Sequence, residues 1–267
     1  MRTTAMLCPA YNRPRLLGHL IAMFCAQRYP AKELVILEDS GIFGVDHIIR
    51  DDQANWRIIS TDQRYPSVGA KRNALAKMTD AEILLVADDD DWYLPWHIPA
   101  AVEALSGNQY WAQPSQALEW DHPGTLGRYY VYGDPVRARF RNGVPRNFCD
   151  ATDCCYGGQW SCTRKAFLQS GGYPVGIGNG DDTHWGQEMF KRFGPAADPL
   201  NRQYPDPSYV YSRDQSGSWH ASELGLGTDP LKSLAKLPRA TLDEFKIELP
   251  AGYFDVTIPV QVQSRKW

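Results

Sequence analysis

Four consecutive aspartates, Asp88 to Asp91, stand directly after the apolar run Ile83-Leu84-Leu85-Val86-Ala87. A buried strand that ends this way crowds several carboxylates into one spot, where they must share protons or recruit a cation. A solvated turn capping a helix near Pro95 is the plainer reading of such a run. The strand in front tips the balance, because open α/β sheets bind ligands beyond the carboxyl ends of their strands. The aspartates therefore read as a metal site. A second acidic pair, Asp181-Asp182, follows the approach Gly176-Ile177-Gly178-Asn179-Gly180, just where a helix should begin. One carboxylate there can cap the helix while the other serves as a general base.

Elements with regular spacing must carry these groups. Residues 3–10 read as a first strand, with Asn12 as the cap of a helix that opens at Pro14. Leu16, Leu17, Leu20, Ile21 and Phe24 recur at helical spacing until Tyr29-Pro30. Leu34–Leu37 is a continuous apolar run suited to a buried parallel strand. Trp56–Ser60 is another strand, and Ser67 caps a helix through Met78. This β-α-β-β-α-β order over the first hundred residues predicts a mostly parallel sheet with covering helices.

The second half changes character. Aromatic strands are expected over 109–120 and 126–132, and Asn142-Gly143 predicts a hairpin between 137–140 and 144–148. Helices are expected over 163–170 and 183–193. Residues 198–227 read as a functional loop, and the alternation Val256, Ile258, Val260, Val262 as an edge strand.

Composition excludes several classes. At 267 residues the chain can bury a sizeable core, and 28 basic against 31 acidic residues predict no polyanion partner from the overall field. No apolar run approaches the ~20 residues that span a bilayer, and the N-terminal run is too brief for a signal peptide. A cytoplasmic protein without a membrane span is expected. Cys149, Cys154, Cys155 and Cys162 cluster without paired zinc-ligand spacing, so reduced thiols are expected.

Four blocks stand in order: Cys8-Pro9-Ala10-Tyr11-Asn12-Arg13, Val35–Gly41, Gly69-Ala70-Lys71-Arg72-Asn73-Ala74 and Ala87–Trp92. Together they resemble a family-2 glycosyltransferase of the GT-A fold, the last block resembling the DXD motif. The resemblance implies an α/β GT-A fold: a mixed, mostly parallel sheet flanked by helices, with an antiparallel acceptor-side region. Residues 1–107 would form the nucleotide-sugar-binding half and 108–267 the acceptor-binding half of one domain. It also implies a nucleotide-sugar donor (a UDP-sugar above others), Mn2+ or Mg2+, and inverting transfer.

Carried over residue by residue, the resemblance makes Asp90 the direct metal ligand. Asp88 lies toward ribose or a metal-bound water, and His220 completes the coordination. Asp89 is expected to be a bystander, and Asp91 to cap the turn or support the site. Donor contacts fall to Pro9, Tyr11, Asp39, Arg72 and Asp88, with Asp39 accepting from uracil or ribose. Arg72 either meets the phosphates or orients Asp39, and Lys71 is expected in solvent. Asp182 is the base with Asp181 as its orienter, although many relatives carry Glu first, which leaves the choice between them open.

For the acceptor, Arg128, Arg137, Arg139, Arg141 and Arg146 stand against Asp134 alone, interleaved with tyrosines and phenylalanines. Such a stretch suits phosphate contacts and stacking on nucleic acid, as in a phage-type DNA glycosyltransferase. Aromatics also stack on a saccharide, and a solvated hairpin is the plain alternative. Trp185 joins this acceptor set. Two rival functions are a sugar-phosphate nucleotidyltransferase and a non-catalytic carbohydrate- or nucleic-acid-binding module. The first would need a Gly-rich phosphate loop where Pro9–Arg13 stands, and the second does not need both acidic clusters.

Overall fold

The structure is a computed structural model describing residues 1–113, 118–122, 129–131, 139–141, 144–146, 160–176, 180–198, 208–214 and 239–240. The chain opens with β1 (Thr4–Ala10), α1 (Pro14–Cys25), β2 (Lys32–Glu38), β3 (His47–Asp51) and β4 (Trp56–Ser60). Then come α2 (Val68–Lys77), β5 (Ile83–Val86), β6 (Trp92–Tyr93), α3 (His97–Ala104) and β7 (Trp111–Ala112). The later elements are β8 (Leu118–His122), β9 (Tyr129–Val131), β10 (Arg139–Arg141), β11 (Val144–Arg146), β12 (Ser161–Thr163), α4 (Arg164–Ser170), α5 (Asp181–Phe193), β13 (Tyr209–Asp214) and β14 (Arg239–Ala240).

The main sheet runs β3-β4-β2-β1-β5-β12-β7. Its centre, β4-β2-β1-β5, is parallel; β3 and β12 pair antiparallel with its two sides, and β7 pairs antiparallel with β12 and so runs with the centre again. Alternation along the strands divides the core. Met6, Cys8, Leu34 and Ile36 face α1, whose Leu17, Leu20, Ile21 and Phe24 cover them. Ala5, Leu7, Val35 and Leu37 face the other way, toward Leu75 of α2, Phe167 of α4 and Met189 of α5. A parallel sheet covered on both faces needs such apolar strands, which β2 and β5 supply.

All four central strands end at one edge, so the loops after them converge. Pairing of β1 with β2 runs to Ala10 and Glu38, whereas its pairing with β5 stops at Leu7 and Val86. Pro9, with no N–H to offer, sits where the second ladder has ended. The strands separate there, beside the point where strand order reverses, which is the usual place for a ligand crevice.

A second sheet, β14-β9-β8-β13-β6, mixes parallel and antiparallel pairs, and β10 with β11 forms the expected hairpin. Several expectations change. Strands β3, β6, β12 and β14 were not foreseen, and β13 lies inside the stretch read as loop. Asn12 is not a cap: the N-cap of α1 is Arg13, which makes no side-chain cap, and Asn12 takes φ 52 so that its amide reaches Glu38 Oε1 at 2.9 Å. Ser67 caps α2 as expected, accepting the Ala70 amide at 3.1 Å. The strand expected over 256–262 lies outside the described residues.

Candidate active site

The strand-end loops bring Tyr11–Arg13, Glu38–Ser40, Arg64–Tyr65 and Asp88–Asp91 to one edge. Helix α2 turns a polar side toward them, with Lys71 and Arg72 both buried. Burying two cations on one helix is unfavourable unless each finds carboxylates. Each does. Lys71 donates to Asp39 Oδ1 at 2.5 Å and to the Ala10 carbonyl at 2.7 Å. It is therefore not in solvent, and burial pulls its ammonium below the ordinary range while Asp39 partly restores it. Arg72 donates to Asp88 at 3.0 Å and to Asp181 at 3.4 Å, so it orients those two rather than Asp39. Burial opposes its charge, but Asp88, Tyr173, Asp181 and Asp182 together outweigh this, and it stays a cation.

The acidic turn is held from several sides. The Asp88 amide donates to the Tyr93 hydroxyl at 2.7 Å, and the Tyr209 hydroxyl donates to Asp91. Asp91 is thus tied to the second sheet through the pairing of β6 with β13. Arg13 Nη1 lies 2.9 Å from Asp89 and 3.0 Å from Asp90. Asp89, expected as a bystander, is buried and pairs with Arg13, and its Oδ2 has no hydrogen-bond partner among the described residues. Burial and then the neighbouring aspartates push the Asp89 and Asp90 carboxyls up, against the pull of Arg13.

These features fit a divalent cation. A crowded carboxylate turn with an orphaned buried oxygen gains from added positive charge. Among the described residues no three His, Cys, Asp or Glu side chains form a metal cage by themselves. Mg2+ sites of this kind need only one or two carboxylates, the substrate phosphates completing the shell. His220 and Arg137 lie outside the described residues. Arg139, Arg141 and Arg146 lie on the β10–β11 hairpin, where Arg139 pairs with Arg146.

The second acidic pair opens α5, whose cap is Gly180 at φ 81 with no side-chain cap. Neither aspartate is the cap, so that expectation is corrected. Both lie in the first turn, where the helix dipole favours negative charge. Close approach of α2 makes the contact with Arg72: a Cβ on Gly69 would stand 2.7 Å from the Pro174 carbonyl oxygen and 3.0 Å from Asp181 Oδ2. Burial pushes the Asp182 carboxyl up, Arg72 pulls it down, and Asp181 adds to the rise. Trp185 differs from its expected acceptor role. It is 1% exposed and stacks on Tyr173 with ring centroids 4.9 Å apart, its Nε1 donating to Ser170. No face of the indole is left for an acceptor.

Of the residues expected to contact a donor, Tyr11 is exposed, while Asp39 is enclosed. Asp39 accepts from Arg64 at 2.8 Å and from the Tyr65 amide at 2.9 Å, besides Lys71. Two residues were missed by sequence reasoning. Arg13 lay within a quoted block, and its charge beside a predicted acidic turn was the available signal. Glu38 ends an apolar strand, where a buried acid needs partners. It takes the amides of Asn12 and Ser40 and so shapes the loops that follow β1 and β2.

Residues 6–167 match the family model described as glycosyl transferase family 2. No curated protein matches the chain. Among solved structures, TarS 1–349 of S. aureus in complex with UDP-GlcNAc is similar, at 13% identity and TM-score 0.54. The alignment covers 82% of this chain and 62% of that one. Mannosyltransferase PcManGT of Pyrobaculum calidifontis, in complex with GDP-Man and Mn2+, is 15% identical at TM-score 0.57, with 81% of this chain and 58% of that one covered. The chain thus spans less than two thirds of either relative, and at these identities the likeness is one of fold.

Proposed function

The chain belongs to glycosyl transferase family 2, and from that premise we propose that it is a metal-dependent, inverting glycosyltransferase. It moves a sugar from a nucleotide-sugar, a UDP-sugar above others, to a hydroxyl on a hydroxylated DNA base or on a saccharide. The observation that carries this reading is Arg72, whose buried guanidinium joins Asp88 after β5 to Asp181 at the start of α5. Carboxylates suited to a donor metal and carboxylates suited to an acceptor proton meet around one side chain.

In this reading residues 1–107 bind the donor and 108–267 the acceptor. Asp90 and Asp88 hold Mg2+ or Mn2+, with His220 as a further ligand. When bound, the ion supplies Lewis-acid stabilisation for the charge that builds on the departing diphosphate. Pro9 and Tyr11 border the donor crevice, and Arg72 keeps the two acidic motifs in register. Asp182 takes the proton of the acceptor hydroxyl, whose oxygen attacks the anomeric carbon opposite the nucleoside diphosphate, so configuration inverts. A carboxyl raised by burial is the stronger base for that step. Asp181, held by Arg72, orients the start of the helix. Arg137, Arg139, Arg141 and Arg146 meet acceptor phosphates where the acceptor is DNA. No helix among the described residues is long and apolar enough to cross a membrane.

Radiolabelled UDP-sugars with Mn2+ and a panel of hydroxymethylated DNA and oligosaccharide acceptors provide the test. Transfer by wild type is expected to be lost in Asp182→Asn, with UDP affinity retained. Full transfer by that variant contradicts the assignment of the base.

A further inference from the structure

Asp39 is where sequence reasoning put recognition of the donor base, and the fold encloses it. Its side chain is 0% exposed and already accepts from Arg64, Tyr65 and Lys71. The groups left open above it are Tyr11, 48% exposed at the end of β1, and Arg64, whose side chain is 56% exposed after β4. They are in contact: the Arg64 guanidinium carbon sits 3.5 Å from the centroid of the Tyr11 ring. Asp39 holds the guanidinium by Nη1 at 2.8 Å, so an exposed cation is fixed at its root by a buried anion. An untethered surface arginine would lose more side-chain freedom on binding a ligand.

We propose that Arg64 reads the nucleobase of the donor, selecting bases with a carbonyl at the pyrimidine 4-position or the purine 6-position over bases with an amine there. The inference rests on the donor reading above. A guanidinium has five N–H donors and no acceptor. Asp39 engages one nitrogen and Tyr11 covers one face, and the side chain is 56% exposed, which leaves further donors and the second face open to a ligand. A carbonyl of uracil or guanine accepts from those donors. The exocyclic amine of cytosine or adenine would set donor against donor. The planar ion also stacks on a base, as it does on Tyr11.

UDP and CDP differ at the pyrimidine 4-position and share ribose and diphosphate, so their affinity ratio isolates this contact. Calorimetric titration with Mn2+ is expected to show wild type favouring UDP by about tenfold or more, as for a hydrogen bond to a charged group. In Arg64→Met the ratio should fall toward one, and UDP should weaken by about the same factor. Arg64→Lys keeps the charge without the planar fork and should recover little of the ratio. GDP against ADP gives the purine form of the comparison. An unchanged ratio in both folded variants, or a wild type that binds UDP and CDP alike, overturns the role of Arg64 and leaves the donor reading standing. A wild type that binds none of the four nucleotides overturns both.

Discussion

Arg72 concentrates the argument at the scale of single residues. Its side chain is 7% exposed and faces two carboxylates from motifs far apart in sequence. Removing one member of a buried charge cluster leaves the others uncompensated, which costs roughly 3 kcal/mol or more. Arg72→Met is therefore expected to lower stability by about 3 kcal/mol in urea denaturation. Arg72→Lys should recover part of that but not the two-carboxylate geometry. A stability unchanged in Arg72→Met would contradict the bridge. The acidic residues themselves were readable from sequence, since four aspartates after an apolar run admit few explanations. Their partners were not. Lys71 reaches Asp39 and Arg72 reaches Asp181 through long-range packing, and adjacent positions on one helix gave no sign of which cation would take which carboxylate. Asp89 and Arg13 escaped for the same reason.

Elements carry the next constraint, because α5, which opens with Asp181 and Asp182, must lie close against the sheet. Gly186 of α5 makes that approach: a Cβ there would stand 1.8 Å from the Trp160 ring. Trp160 is fully buried against Trp111 and Trp185, so the indole has little room to yield. Gly186→Ala gains about 1 kcal/mol of helix propensity. Overpacking of a rigid ring costs about 1–3 kcal/mol, occasionally more. With the ring only 1.8 Å away the cost falls at the upper end of that range, so the net expectation is a loss of about 2 kcal/mol with a lower melting temperature. A variant more stable than wild type would mean that α5 sits further from β12 than described. Element types over the first hundred residues could be read because continuous apolar runs alternate with segments of helical spacing, although only α2 carries the side-chain cap expected of it. Strand β3 was missed because Ile48-Ile49 is too short a pattern among polar neighbours. Strand β13 was hidden by the Pro- and Gly-rich stretch around it. Sheet order was not readable at all, since it depends on pairing between distant segments.

At the scale of the whole molecule the second sheet joins the core of the first through Tyr93 and Tyr209, and His97 of α3 is buried beside both. Its ring lies 3.2 Å from Ser208 Oγ and packs edge-on to Tyr93, with Tyr209 beside it. Burial holds this imidazole down at about 4, against an ordinary 6.5. Between those values the unfolded chain binds a proton that the folded chain refuses. The contribution is full above about pH 6.5 and is lost as pH falls toward 4. Its size is about 3 kcal/mol at most. The raised Asp89 and Asp90 carboxyls act in the opposite sense, so a difference measurement is needed. His97→Gln should lose less stability than wild type between pH 7 and pH 4.5, by urea denaturation at each pH. An identical pH dependence would show that His97 is not the group refusing the proton. The central claim concerns the acidic turn as a metal-assisted donor site. Its most direct test is the thermal stability of wild type and Asp90→Ala with UDP, with and without Mn2+. Ligand at about 100 times its dissociation constant adds ~2.7 kcal/mol to the folded state. The account predicts a clear upward shift for wild type with both ligands, weaker without Mn2+ and absent in Asp90→Ala. No shift with UDP or any other nucleotide would contradict it, leaving a family fold without its donor site.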